Sequence, residues 1–126
     1  MVLRRYMLNP ENVPEHLKEE LIEYQQVIRN NLQKYEENER MIRDYLAGMP
    51  KIIDMTETQG GFCKFIRFET EKTDTEHAKE IYFNTGVLLV PGSAFNATED
   101  GWMRLTFAVS KSKLEQGLES LKKGLQ

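Results

Sequence analysis

The fold is decided by residues 86–108, which read GVLLVPGSAFNATEDGWMRLTFA. Val87–Val90 is a continuous apolar run that Pro91 and Gly92 end, which is typical of a short buried strand. A polar loop follows, and Trp102–Ala108 then alternates between polar and apolar residues. Alternation with a period of two predicts a second strand that has one face in the core.

The same alternation separates the side chains of the second strand into two groups. Met103, Leu105 and Phe107 share one face, and we expect this face to be buried. Arg104 lies on the opposite face, so it does not have to enter the core. Two interpretations of Arg104 remain. The ordinary one is an arginine on a solvated sheet face, and the alternative is an arginine that binds a ligand.

Two helices are predicted on either side of this region. Thr73 and Glu76 form a capping-box pattern, which predicts a helix that Gly86 ends as its C-cap. Its buried face is expected to carry Ala78, Ile81, Tyr82 and Thr85. The last helix is predicted from Ser110–Ser112 onward, and its buried stripe consists of Leu114, Leu118, Leu121 and Leu125.

A long helix is predicted over residues 14–46, where apolar residues recur in steps of three and four. Pro14 suits the first turn of this helix, and Gly48 with Pro50 ends the segment. At about 1.5 Å per residue it would be roughly 50 Å long, which is more than one small domain can cover. We therefore expect the helix either to bend near Asn30-Asn31 or to pack partly on something outside this domain.

Two further strands complete the predicted elements. Ile52–Met55 and Phe62–Phe68 are both short and rich in β-branched or aromatic residues. The order predicts an α/β fold of the α+β sandwich type, with a small mixed sheet of about four short strands covered by helices. The expected boundary near Gly48 divides the chain into residues 1–48, a long interdomain-type helix, and residues 49–126, a small domain.

Composition excludes several classes of function. The chain has 126 residues, 40% of them hydrophobic, and a net charge of −3. This charge is too small to indicate a nucleic-acid or membrane partner, and we expect a cytoplasmic protein. The single cysteine, Cys63, excludes an internal disulfide, and the two histidines have no metal-binding spacing.

Three short motifs occur in order: Gly60-Gly61-Phe62, residues 86–95 and residues 101–108. This order resembles the C-terminal, small domain of class I/II, fold-type-I pyridoxal-phosphate-dependent aminotransferases, the group that includes aspartate aminotransferase. The family pattern is Gly-Gly-Phe/Tyr, then Gly-Val-x-Val-x-Pro-Gly-x-x-Phe, then Gly-x-x-Arg-Leu-Ser/Thr-Phe-Ala. The resemblance covers about residues 34–125 of this chain.

The resemblance implies roles for three residues. It implies that Arg104 binds the α-carboxylate of the substrate, and a planar guanidinium is suited to grip a carboxylate through two parallel hydrogen bonds. It also implies that Gly60 and Gly61 lie at the edge of the substrate cleft, where the missing Cβ admits a close ligand. A plain turn before a strand is the alternative explanation for the two glycines.

The resemblance also implies what this chain lacks. In the family a lysine of the large domain holds pyridoxal phosphate as a Schiff base, and an acidic residue pairs with the ring nitrogen. The segment Ser110-Lys111-Ser112-Lys113 is similar to the Ser-x-x-Lys around that lysine, but it opens the last helix and is better explained as a helix cap. We therefore predict no catalytic residue, no metal and no cofactor for this chain alone.

For function, the resemblance implies the small domain of an enzyme that moves an amino group between an amino acid and a 2-oxo acid. The expected partners are the large pyridoxal-phosphate-binding domain, a second subunit of a homodimer and the substrate. The isolated chain should be inactive. The alternative is a free-standing, non-catalytic α/β binding or interaction module derived from this fold. A third possibility is an interaction domain in which the heptad-like stretch from Leu17 to Tyr35 dimerises.

Overall fold

A computed structural model describes residues 12–57 and 61–125 of the chain. Its elements in chain order are helix α1 (Lys18–Leu46), strand β1 (Ile52–Met55), strand β2 (Cys63–Phe68), helix α2 (Asp74–Thr85), strand β3 (Val90–Pro91), strand β4 (Trp102–Thr106) and helix α3 (Lys111–Gly124). Two short 3-10 turns accompany them, Glu15–Leu17 before α1 and Gly92–Phe95 between β3 and β4. Within these ranges no helix is both long and apolar enough to cross a membrane.

The four strands form one sheet in the order β1-β2-β4-β3. Phe65 of β2 pairs with Arg104 of β4, and Val90 of β3 pairs with Arg104 from the other side. The predicted α/β fold class, with about four short strands and covering helices, is confirmed. One detail differs, because every pairing is antiparallel and the sheet is therefore not mixed.

The core lies between one face of the sheet and the helices. On the strands, burial alternates, so that Ile66, Phe68 and Met103 are buried while their neighbours are partly exposed. The predicted buried face of β4 and the leucine stripe of α3 are both confirmed. The buried apolar cluster consists of Ile42, Leu46, Ile66, Phe68, Ala78, Ile81, Leu89, Met103, Leu105, Phe107, Leu114, Leu118, Leu121 and Leu125.

The predicted caps of α2 are present, but its buried face is rotated. Thr73 accepts a hydrogen bond from the Glu76 backbone N–H at 3.4 Å, and Gly86 adopts φ 75° as the C-cap. Tyr82 is 47% exposed, whereas His77 is only 7% exposed. The buried face of α2 carries His77 together with Ala78 and Ile81, and Tyr82 lies outside it. The prediction that Tyr82 belongs to the buried face was therefore wrong.

The apolar run before Pro91 is not a continuous buried strand. Only Val90–Pro91 pairs with β4, and Leu88 is 76% exposed while Leu89 is buried. Gly86 adopts a left-handed conformation, and the Val87 N–H after it donates to the Thr85 hydroxyl at 3.0 Å. This N–H is therefore bonded to the last residue of α2 and not to a neighbouring strand. The strand prediction for Val87–Val90 was therefore wrong in length, because hydrophobicity alone does not distinguish a ladder from a packed connection.

Helix α1 is continuous through Asn30-Asn31, and the chain forms two compact units. The first ends at Lys34 and the second comprises Tyr35–Gln126, so the last turns of α1 belong to the unit that contains the sheet. The predicted domain boundary near Gly48 stays a prediction, since compact units and the domains of a longer protein need not coincide.

Two buried polar side chains join the end of α1 to the sheet within the second unit. The Asn38 amide donates to the backbone oxygens of Phe107 and Val109, both at 2.9 Å. The Lys64 ammonium donates to a Glu39 carboxylate oxygen at 2.9 Å and to the Thr56 carbonyl at 2.7 Å. Because the Asn38 and Lys64 side chains are buried, each bond fixes position as well as satisfying a buried polar atom.

Replacing Asn38 by alanine should destabilise the protein strongly. Asn38→Ala removes both hydrogen bonds and leaves two carbonyls without a donor, so we expect a loss of about 2–3 kcal/mol in the free energy of unfolding. Urea unfolding measures this change. Asn31→Ala, an exposed asparagine of the same helix, should change stability by less than about 0.5 kcal/mol. Equal effects of the two variants would contradict the anchoring role of Asn38.

His77 is a buried titratable group in the second unit. Its ring packs edge-on to Phe68 at 5.6 Å between centroids, and its Nδ1 is buried without a hydrogen-bond partner. Burial lowers the pKa of His77 below its ordinary value of 6.5. Four charged neighbours modify this shift in opposing directions; Glu80 and Asp74 raise the pKa, and Lys72 and Lys51 lower it.

The lowered pKa of His77 predicts acid sensitivity. Below about pH 6.5 the unfolded chain binds a proton at His77 more readily than the folded chain does, so the free energy of unfolding falls as the pH is lowered through this value. His77→Phe, which keeps a ring against Phe68, should flatten this part of the profile in urea unfolding between pH 5.5 and 7.5. His16→Gln, which changes the exposed second histidine, should retain the wild-type slope. An unchanged slope in His77→Phe would refute the assignment.

Candidate functional site

The face of the sheet opposite the core carries the candidate site. Phe65 and Arg67 of β2 and Trp102 and Arg104 of β4 share this face, and all four side chains are half-buried. We call these four residues the open face. In the register of the strands, Phe65 lies opposite Arg104 and Arg67 lies opposite Trp102.

Arg104 rests against an aromatic wall. Its guanidinium carbon lies 4.5 Å from the ring centroid of Phe95, which belongs to the 3-10 turn after β3. The Phe65 ring meets the Phe95 ring edge-on, with 5.7 Å between centroids. An aromatic face attracts a guanidinium and restricts its rotamers, so Arg104 is oriented before any ligand binds.

The two arginines of the open face differ in their ion pairs. Arg67 Nη1 lies 2.8 Å from a Glu99 carboxylate oxygen, and the Arg67 guanidinium lies 6.0 Å from the Trp102 ring. Among residues 12–57 and 61–125, Arg104 forms no salt bridge. Arg104 is therefore the cation of this face that still has its hydrogen-bond donors available for an anion.

The sequence pattern placed Arg104 on the face opposite the core but did not indicate the residues that contact it. Phe95 was noted only as part of a motif, although its ring is what the guanidinium contacts. Arg67 and Phe65 lay in a predicted strand, and the two-residue period of that strand could have placed both on the face of Arg104. No sequence signal gave the register that sets Phe65 opposite Arg104.

The two predicted glycines have different outcomes. Gly60 lies outside the described residues. Gly61 is exposed with φ 79°, and the space where a Cβ would stand is open. The strand register pairs Cys63 with Thr106, so Gly61 lies near the end of the sheet at Thr106. Its position at the edge of a substrate cleft stays a prediction.

The described lysines differ in burial and in their hydrogen bonds. Lys64 is the only buried lysine in the part of the chain that the structure describes, and Glu39 and Thr56 hold its ammonium. The segment at the start of α3 that resembles Ser-x-x-Lys forms a helix cap, since the Ser110 hydroxyl accepts a hydrogen bond from the Lys113 N–H at 3.4 Å. No group of three or more metal-binding side chains occurs in the described ranges.

Two glycines hold the segment that carries Arg104. Gly101, which directly precedes β4, has φ 97°, and a Cβ there would collide with the Phe68 carbonyl oxygen. Gly92 begins the turn that carries Phe95, and a Cβ there would lie 2.7 Å from the Trp102 Cβ. Both positions therefore require glycine for close packing around the strand.

The chain matches one protein family over most of its length. Residues 1–121 match the family described as aminotransferase class I and II. The chain belongs to this family.

The chain matches only one part of each of its longer relatives. The chain is 28% identical over 94 residues to an aspartate aminotransferase of Pyrococcus horikoshii, covering 74% of this chain and 24% of the relative. It is 30% identical over 90 residues to a probable N-acetyl-LL-diaminopimelate aminotransferase of Bacillus subtilis, covering 71% and 22%. The chain thus spans about a quarter of the length of these relatives.

Solved structures agree with this assignment. An alanine aminotransferase from Pyrococcus furiosus superposes with a TM-score of 0.70 at 28% identity, covering 77% of this chain and 25% of that one. A PLP-dependent aminotransferase from Streptococcus suis superposes with a TM-score of 0.69 at 27% identity, covering 83% and 27%. Family membership implies pyridoxal phosphate as the cofactor of the parent family.

Glycine substitutions test the packing before β4. Gly101→Ala combines a left-handed backbone with a backbone collision, so we expect a loss of at least about 2 kcal/mol in the free energy of unfolding. Gly117→Ala is the matched control, because Gly117 is helical with open space at its Cβ position. It should stabilise by about 0.5–1 kcal/mol. Thermal or urea unfolding measures both, and a neutral Gly101→Ala would contradict the tight contact with Phe68.

Proposed function

We propose that this chain provides the small domain of a pyridoxal-phosphate-dependent aminotransferase, in which Arg104 binds the α-carboxylate of the substrate. The observation that carries the proposal is the guanidinium of Arg104, stacked on Phe95 and without an ion-pair partner in the described ranges. A carboxylate is the ligand that best matches this planar pair of donors. The family match supports the same role.

The reaction of the whole enzyme would be transfer of an amino group between an amino acid and a 2-oxo acid. Both substrates carry an α-carboxylate, so one arginine serves both halves of the reaction. Pyridoxal phosphate supplies the electron-withdrawing chemistry when it is bound. The contribution of this chain is to bind the carboxylate and fix the orientation of the Cα substituents, which converts binding energy into alignment.

The proposed partners are a large cofactor-binding domain and a second subunit. Several large apolar side chains of the second unit are exposed, which is consistent with a surface that another domain covers; they are Phe62, Phe83 and Leu88. Without the large domain the chain would bind a carboxylate weakly and would catalyse no transfer.

Carboxylate binding at Arg104 is directly measurable. In the labelled chain titrated with pyruvate, the Arg104 Nε–H resonance and the backbone amide resonances of β4 should shift saturably, and the amide shifts give the Kd of each variant. Arg104→Lys keeps the charge but loses the two parallel donors, so we expect binding to weaken by about tenfold or more. Arg40→Lys, an exposed arginine of α1, should bind as wild type does. Equal affinity in Arg104→Lys and wild type would refute the proposed role.

A titration with pyridoxal phosphate tests the proposal that this chain alone cannot hold the cofactor. The chain should give no saturable visible band and no stoichiometric borohydride-trapped adduct on one lysine, because we propose that the lysine and the acidic partner of the cofactor belong to the large domain. A stoichiometric adduct that an amino acid discharges would contradict the incomplete-enzyme proposal. If instead the wild-type chain shows no pyruvate binding at Arg104, the alternative of a non-catalytic interaction module is favoured.

A further inference from the structure

Asp74 is a buried carboxylate that the proposed carboxylate-binding role does not use. It is the first residue of α2 and is 2% exposed. Its Oδ1 accepts a hydrogen bond from the Gly101 N–H at 2.6 Å, and its Oδ2 accepts from the Ser93 N–H at 3.1 Å. One carboxylate thus joins the start of α2 to two segments that lie 19 and 27 residues further along the chain.

The two segments are the ones that place Arg104. Gly101 directly precedes β4, so fixing its backbone fixes the start of the strand that carries Arg104. Ser93 lies in the turn Gly92–Phe95, so fixing its backbone positions the ring on which the guanidinium rests. We infer that Asp74 is a positioning residue, whose carboxylate holds the Arg104 strand and the Phe95 turn at a fixed separation.

A carboxylate is well suited to hold both backbone N–H groups. It offers two acceptor oxygens and no donor, which matches two backbone N–H groups that point at it from different sides. Its place in the first turn of α2 adds the favourable field of the helix N-terminus. Among the described residues no salt bridge of Asp74 occurs, so this field and the two N–H donors are what stabilise its negative charge. A cation there would compete with the two backbone donors.

An asparagine cannot replace this carboxylate. Asp74→Asn keeps the shape but has one acceptor oxygen, and its NH₂ group would face one of the two backbone N–H donors. One segment is then released while the other stays held. The expected consequence is a looser pairing of Arg104 with Phe95, and therefore a weaker grip on a carboxylate ligand.

The inference rests on the proposed function of Arg104, and the test separates the two. Wild type, Asp74→Asn and Asp74→Ser are labelled with ¹⁵N, and the amide spectrum establishes that each is folded. In both variants the amide protons of Ser93 or Gly101 should exchange about tenfold faster. The upfield shift that the Phe95 ring imposes on the Arg104 Nε–H proton should shrink, which a merely structural loss elsewhere would not cause.

Pyruvate binding gives the functional readout. We expect its Kd at Arg104 to rise by about fivefold in Asp74→Asn. Asp100→Asn is the matched control, because it removes an exposed carboxylate next to Gly101 and should leave the Kd and the Arg104 resonance unchanged. If Asp74→Asn speeds amide exchange at Ser93 or at Gly101 but keeps the wild-type Arg104 resonance and Kd, the inference is overturned and the Arg104 role stands.

The experiment also separates carboxylate binding at Arg104 from the positioning role of Asp74 when wild type gives a negative result. If wild type does not bind pyruvate at Arg104, the proposed function fails. The positioning role of Asp74 is then decided by the Arg104 resonance and the amide exchange alone, where a change supports it and wild-type behaviour refutes it.

Discussion

The two-residue period of β4 is the constraint on which the site depends. The strand must bury Met103 and Leu105 against the helices, because these side chains are central to the apolar cluster. The same pleat then sends Arg104 to the open face, where Phe95 and not solvent alone meets its guanidinium. A slip of one residue in the pairing with β2 would bury the arginine and expose the core. Packing energy therefore enforces the position of Arg104.

Periodic patterns of this sequence predicted most of the fold, because each rests on a local rule. The capping box at Thr73, the glycine end at Gly86 and the leucine stripe of α3 all follow from helix geometry. The length of the strand before Pro91 did not follow, since an apolar run fits a strand and a buried connection equally. Whether such a run joins a ladder depends on partners that are distant in sequence.

The candidate site was predictable only in part. Strand alternation placed Arg104 on the open face and the motif resemblance made it a candidate, and both signals are local. Phe95 and Asp74 act through contacts with residues distant in the chain, and no periodicity marks them. The buried pair of Lys64 and Glu39 was missed for the same reason, since a lysine in a strand pattern is ordinarily solvated. Tertiary polar contacts were therefore the main part of the structure that one sequence could not supply.

Pro91 has a consequence for how this sheet can be extended. It occupies β3, which forms one border of the sheet, and proline has no backbone N–H. An additional strand along that border would lack a donor at this residue, so growth of the sheet there is disfavoured. Partners that approach this border are thus directed to its side chains, and the border nearest to Arg104 is less suited to edge-to-edge pairing.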